Sequence, residues 1–166
     1  MIFPTVRGQD CKGRSLFLPD GFTGEFNVAL IAFQRYQQEA LETWLPYLET
    51  LSEQNQELRL YILPTIQQLD EYQAQFFDLG LKFRQDSLLD QRRFTLYVDL
   101  NDFNRALDIP TVNRIYVLLL DRIGNVLWRA DGVFTPEKAR ALDETLPRET
   151  AHPHRLGALF FSWLLH

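Results

Sequence analysis

Every residue from Val28 to Phe33, inside the stretch "NVALIAF", is apolar, with no polar residue alternating between them. A strand with one wet face alternates; an unbroken apolar run needs cover on both faces, as in a sheet with helices above and below. From Gln37 to about Glu53 the positions Ala40, Leu41, Trp44, Leu45, Leu48 and Leu51 then recur at helical spacing, which predicts an amphipathic helix with Pro46 inside it. A proline in a helix interior costs about 3 kcal/mol and introduces a kink, so the fold must supply a reason for it. A second apolar run, "LRLYIL" from Leu58 to Leu63, follows. Strand, helix, strand with both strands covered is the core of a parallel α/β unit.

The flanks extend this sheet. "TVRGQDCKGRSLFLP" predicts an N-terminal β-hairpin, with turn residues from Asp10 to Gly13. "TIQQLDEYQAQFFDLG", Thr65 to Gly80, predicts a helix with Gly80 as its C-cap. "FTLYVDL" predicts a strand, and "NDFNRALDI" a short helix starting near Asn101 or Asp102. "NRIYVLLL", ending at Leu120, predicts a further strand, which "DRIG" turns and "NVLW" pairs as a hairpin. Thr135 as N-cap, Pro136 at the first helical position and Glu137 in the first turn open a last helix. The fold class expected is α/β, a mixed central sheet flanked by helices.

Chain length and charge bound the function. A chain of 166 residues suits one domain, expected over 1–150, with 151–166 as a tail. The net charge is −5 and basic clusters such as Arg92-Arg93 are short, which argues against nucleic acid as a partner. A single cysteine, Cys11, rules out an intramolecular disulfide, a CxxC pair and a cysteine-rich zinc site. The N-terminal "MIFPTVRGQD" shows no charged segment followed by an apolar one, so the expected location is the cytoplasm, or an organellar matrix or stroma if a transit segment has been removed.

Three stretches resemble the thioredoxin superfamily, and within it the peroxiredoxin-like or redoxin branch. "FPTVRGQDCKGRSLFLPD" resembles the N-terminal hairpin of redoxins, and "NVALIAFQRYQQEALETWLPYLETL" their first core strand and long proline-kinked helix. "YVLLLDRIGNVLWRADG" resembles their final hairpin, and the likeness covers about Phe3 to Leu146. The resemblance implies redox cysteines five and eight residues before the helix proline, at Leu41 and Gln38; aligned on the strand end, it implies Gln37 and Ala40. Neither alignment meets a cysteine, and no amide or methyl replaces a thiolate nucleophile. The family's cis-proline, implied close to Ile115, also has no match, Pro110 lying too far upstream. A narrower resemblance, through "FPTVRGQD", "WLPYLETL" and "NRIYVLLLDRIGNVLWRADG", is to the redoxin-like assembly factors for ATP synthase of mitochondria and chloroplasts, which lack the catalytic cysteines.

These readings imply a thioredoxin-like protein without thiol redox activity that acts by binding a protein, as an assembly or accessory factor for a membrane complex such as ATP synthase. The alternative is an atypical thiol peroxidase or thiol transferase using Cys11 or a partner's thiol. Expected binding residues are Arg35, Tyr36 and Glu39 at the degenerate redox position, with Arg114 and Tyr116 at the last core strand. The glutamine-rich face from Gln37 to Glu42 is expected to be solvated. No cofactor and no metal site is expected; His152, His154 and His166 lack a placed carboxylate and fit a surface tail better than a zinc site. In the tail, Leu159, Phe160, Phe161, Trp163 and Leu164 predict an apolar helix that covers its own domain, a second copy, a protein partner or a membrane surface. Ten residues of helix reach about 15 Å and cannot cross a bilayer, so no transmembrane segment is expected and membrane contact is peripheral at most.

Overall fold

The computed structural model describes residues 1–68 and 92–147. Its centre is the apolar run, now β3 (Phe26–Ala32), which lies between β4 (Leu58–Gln67), parallel to it, and β6 (Tyr116–Asp121), antiparallel. The other strands are β1 (Val6–Gln9), β2 (Ser15–Leu18), β5 (Thr95–Val98) and β7 (Val126–Asp131). Together they form one mixed sheet in the order β2-β1-β5-β4-β3-β6-β7.

Both faces of β3 are covered, which is why its sequence does not alternate. Val28, Leu30 and Ala32 enter one core with α1 (Gln38–Gln54) and α3 (Pro136–Thr145). Ala29, Ile31 and Phe33 enter a second core on the opposite face, with Phe3, Phe22 and Phe103. Phe103 belongs to α2 (Leu100–Ala106). On α1 the buried residues are Leu41, Trp44, Leu48 and Leu51, as the helical spacing predicts, and the helix is unbroken through Pro46. Pro46 is exposed, so its ring faces away from the core.

Two expectations are corrected. The helix predicted from Thr65 begins as strand: β4 runs on to Gln67, and Thr65, Ile66 and Gln67 pair in parallel with Leu96, Tyr97 and Val98. The β-branched pair Thr65-Ile66 favours extension, and Pro64 sits where β4 leaves its ladder with β3 and takes up the one with β5. The remainder of that predicted helix, 69–80, lies outside the described residues. The short helix starts earlier than expected, because Asp99 is its N-cap and its carboxylate accepts from the Asp102 N–H at 3.1 Å. At the other end of α2 the Arg129 guanidinium donates to the carbonyls of Leu107 and Asp108. Thr135 caps α3 as predicted.

The β6–β7 turn is held by Asp121. Its carboxylate accepts from the N–H of Ile123 at 3.1 Å, the N–H of Asn125 at 2.8 Å and the Asn125 side chain at 2.8 Å. Burial pushes this carboxyl up, but the bonds from Asn125, Ile123 and Gly124 outweigh it and hold Asp121 below the usual carboxylate range. Gly124 has φ +96° there, and an added Cβ would lie 2.6 Å from the Pro19 side chain, so only glycine fits. The outer strand β7 is closed at both ends: its Val126 N–H donates to the Met1 carbonyl at 2.9 Å. The Lys138 ammonium donates to the carbonyls of Asp131 at 2.6 Å and Val133 at 2.7 Å. Among the described residues no helix is long and apolar enough to cross a membrane.

Candidate functional site

Beyond the C-terminal end of β3 the chain makes a tight 3₁₀ turn, Arg35–Gln37, and enters α1. β6 is antiparallel to β3, with Ile31 opposite Tyr116, so the segment Thr111–Ile115 that leads into β6 arrives at the same end of the sheet. The residues that precede and follow these two connections decide what the site can do.

Gln37 joins them. Its side-chain oxygen accepts from the N–H of Phe33 at 2.7 Å and of Gln34 at 3.1 Å, while its amide nitrogen donates to the Val112 carbonyl at 2.8 Å. The residue is 3% exposed, which corrects the expectation of a solvated glutamine: three backbone groups would lack partners without it. Two tyrosines fasten the same segment. The Tyr116 hydroxyl donates to the Thr111 carbonyl at 2.7 Å, and the Tyr36 hydroxyl to the Asn113 carbonyl at 3.3 Å. Three consecutive carbonyls, Thr111, Val112 and Asn113, are thus each taken by a side chain from elsewhere in the fold.

The other expected site residues divide. Leu41 is fully buried in the core on α1, and Ala40 packs against that core. Gln38 donates to Glu42 at 2.9 Å along the helix. Tyr116, expected to bind a partner, is fully buried with the Arg129 guanidinium 5.6 Å from its ring centre, so it supports the site from beneath and presents no surface. Arg35, Tyr36, Glu39 and Arg114 are exposed. Arg114 pairs with Asp131 at 3.5 Å, and both side chains are about half exposed. The tail residues Leu159, Phe160, Phe161, Trp163 and Leu164 and the three histidines lie outside the described residues.

Cys11 is exposed in the β1–β2 turn. β1 pairs antiparallel with β5, Gln9 opposite Thr95, so this turn lies past the start of β5, whereas Gln37 lies past the C-terminal end of β3. The thiol and the connection that carries Gln37 are therefore at opposite ends of the sheet. Among the described residues no group of three or more histidine, cysteine, aspartate or glutamate side chains is placed to hold a metal ion. The single cis peptide bond among the described residues is Leu18–Pro19 and not one at Pro110.

No protein-family model matches the sequence, and no curated protein matches it. Solved structures do. A thiol:disulfide interchange protein from a Bacteroides species aligns with TM-score 0.55 and 15% identity, over 92% of this chain and 93% of that one. The chain has the thioredoxin fold. A member of the Sco family of cytochrome c oxidase assembly proteins aligns with TM-score 0.53 and 12% identity, over 87% of this chain and 91% of that one. The mitochondrial 2-Cys peroxiredoxin from Plasmodium falciparum aligns with TM-score 0.51 and 12% identity, over 85% and 88%. In this thioredoxin fold the strand-to-helix connection after β3 carries Gln37 and Gln38 in place of any thiol.

The absence of cysteine from 37–41 is plain in the sequence, but the role of Gln37 is not. The signal available was a glutamine four residues beyond Phe33, the last apolar residue of the run, at a point where the chain must turn and leave backbone N–H groups without strand partners.

Proposed function

We propose that this protein uses the thioredoxin fold for binding and not for thiol chemistry, as an accessory or assembly factor that presents the end of the sheet around Tyr36 to another protein. The observation that carries this reading is Gln37. A residue at the degenerate redox position is buried and makes three hydrogen bonds to backbone groups of both connections, an arrangement that serves rigidity and leaves no nucleophile. Arg35, Tyr36, Glu39 and Arg114, all exposed, are the contact residues in this reading. The Sco-family protein among the structural neighbours is named for assembly work, and its likeness is compatible with such a role here.

The test is enzymatic. The purified protein should neither reduce peroxide nor reduce insulin disulfides with a thiol donor, and Cys11→Ser should behave as the wild type does. Turnover that disappears in Cys11→Ser would overturn the proposal and favour the thiol-dependent enzyme.

A further inference from the structure

Seven large apolar side chains are exposed among the described residues, and four of them, Met1, Ile2, Ile123 and Leu127, belong to two segments that are bonded to each other. The Phe3 N–H donates to the Gly124 carbonyl at 2.8 Å, Ile2 forms a bridge with Asn125, and the Val126 N–H donates to the Met1 carbonyl at 2.9 Å. Ile2 and Ile123 are 58% and 69% exposed. The charged neighbours are already engaged: Arg122 pairs with Glu25 at 3.3 Å, and the Asp121 carboxylate holds the turn. Single exposed apolar residues are ordinary on any surface, but four gathered on one corner mark a contact.

The path of α3 leads toward this corner. Just before α3 the Phe134 N–H donates to the Thr43 hydroxyl at 2.9 Å, and four residues further along α1 the Tyr47 hydroxyl donates to the Ala139 carbonyl at 3.1 Å, so α3 advances alongside α1 in the same direction. α1 leads into the start of β4, where Leu58 pairs with Phe26, and Phe26 pairs in turn with Asp121. The end of α3 and the β6–β7 turn are therefore at one end of the sheet, opposite to the end that holds Gln37. Leu142 of α3 and Leu146 just past it share a core with Trp128, the residue after Leu127. Beyond Pro147 the sequence sets Leu156, Leu159, Phe160, Trp163 and Leu164 at the spacing of one helical face, with no charged residue from 156 to 165. The residues 148–155 can span up to about 30 Å, well beyond the roughly 10 Å that separates packed neighbouring elements. So short a tether gives an effective concentration in the millimolar range, which favours the chain's own corner over a second copy at micromolar concentration.

We infer that the apolar segment 156–165 docks on the corner made by Met1, Ile2, Ile123 and Leu127 of its own chain. Its apolar side chains pack on Ile2 and Ile123, and the Arg122–Glu25 pair stays at the rim in water. The inference does not depend on the proposed binding role, and it assigns the tail to the end of the sheet opposite to Tyr36.

A photo-cross-linking residue, p-benzoylphenylalanine, in place of the exposed Ile123 of the full-length chain tests this. Light is applied to an equal mixture of unlabelled and nitrogen-15-labelled protein, and mass spectrometry of the digest identifies the joined peptides. Expected are cross-links from position 123 to 156–165 in which both peptides carry the same label, with a yield that phosphatidylcholine vesicles leave unchanged. Adding Ile2→Asp should lower that yield by at least about fivefold, because a carboxylate then enters an apolar contact. Ile2 is exposed, so the fold should tolerate this change, and near-UV circular dichroism checks that it does. Products with mixed labels in half of the cases would make the cover a second copy, and loss of the product on adding vesicles would make it a membrane surface. Either result, an equal yield in Ile2→Asp, or no cross-link to 156–165 would overturn the inference.

Discussion

Two connections in this molecule are closed by one polar side chain each, and they differ in reach. Asp121 closes the β6–β7 turn from within: its partners are Ile123 and Asn125, at most four residues away. Gln37 closes the end of the sheet from without: its amide oxygen accepts from Phe33 and Gln34 on its own connection, and its amide nitrogen donates to the carbonyl of Val112, 75 residues on. The first is a local turn motif that a short peptide could approximate. The second exists only when β3 and β6 are already side by side, so it reports on assembled tertiary structure. They also differ in charge: a carboxylate is acceptor-only when ionised, whereas an amide can accept and donate at once, which the Gln37 position needs.

The largest expected effect tests the longer reach. Gln37→Ala leaves the N–H of Phe33 and the Val112 carbonyl without their partner in a buried setting, and should cost about 2–4 kcal/mol of unfolding free energy by denaturant titration. A loss below about 0.5 kcal/mol would mean that water or a neighbour replaces the amide and that the two closures are not different in kind.

Asp121→Ala should cost less, about 1–2 kcal/mol, because its turn is more exposed to water, and the loss should depend on pH. Asp121 has its folded value lowered, so the stability it contributes is present above the ordinary carboxylate value near 3.9 and disappears as pH falls through the lowered folded value. The gap between wild type and Asp121→Ala should therefore narrow in acid, whereas the gap for the neutral Gln37 should follow no such profile. Melting curves of the three proteins from pH 7 to pH 3 make the comparison.

The smallest effect comes from Tyr116→Phe, which removes one hydrogen bond to Thr111 and keeps the ring beside Arg129; about 1 kcal/mol is expected. Amide exchange at Thr111–Asn113 should quicken in Tyr116→Phe and quicken further in Gln37→Ala, while the β6–β7 turn keeps its wild-type protection in both.

The same contrast explains what could be read in advance. The unbroken run Val28–Phe33 fixes a strand covered on both faces, because that is a demand on each residue's own surroundings, and the structure covers both. Thr135 with Pro136 is a local cap and was legible for the same reason. The start of α2 was misplaced because Asp99, Asn101 and Asp102 are all competent caps, and the choice goes to Asp99. The strand Thr65–Gln67 was hidden because its partner Leu96–Val98 is distant in sequence, while the local pattern of glutamines and apolar residues suits a helix equally well. At the site, the missing thiols are plain from the residues themselves. That Gln37 is buried, and that Tyr116 is covered and not a contact, depends on which segments the fold brings to one end of the sheet.

The two ends of β7 bear on solubility. An outermost strand offers free backbone groups to any other extended chain, and sheets with an open edge are prone to associate through it. Here Met1 occupies one end of the strand and the ammonium of Lys138 the other, where it engages the Asp131 carbonyl at 2.6 Å and places a positive charge in the path of an approaching strand. Removing that ammonium would leave the Asp131 and Val133 carbonyls without their donor and would open the rim of the sheet. The expected consequence is a greater tendency of copies to associate edge to edge, which light scattering reads and an unfolding curve of the isolated chain does not.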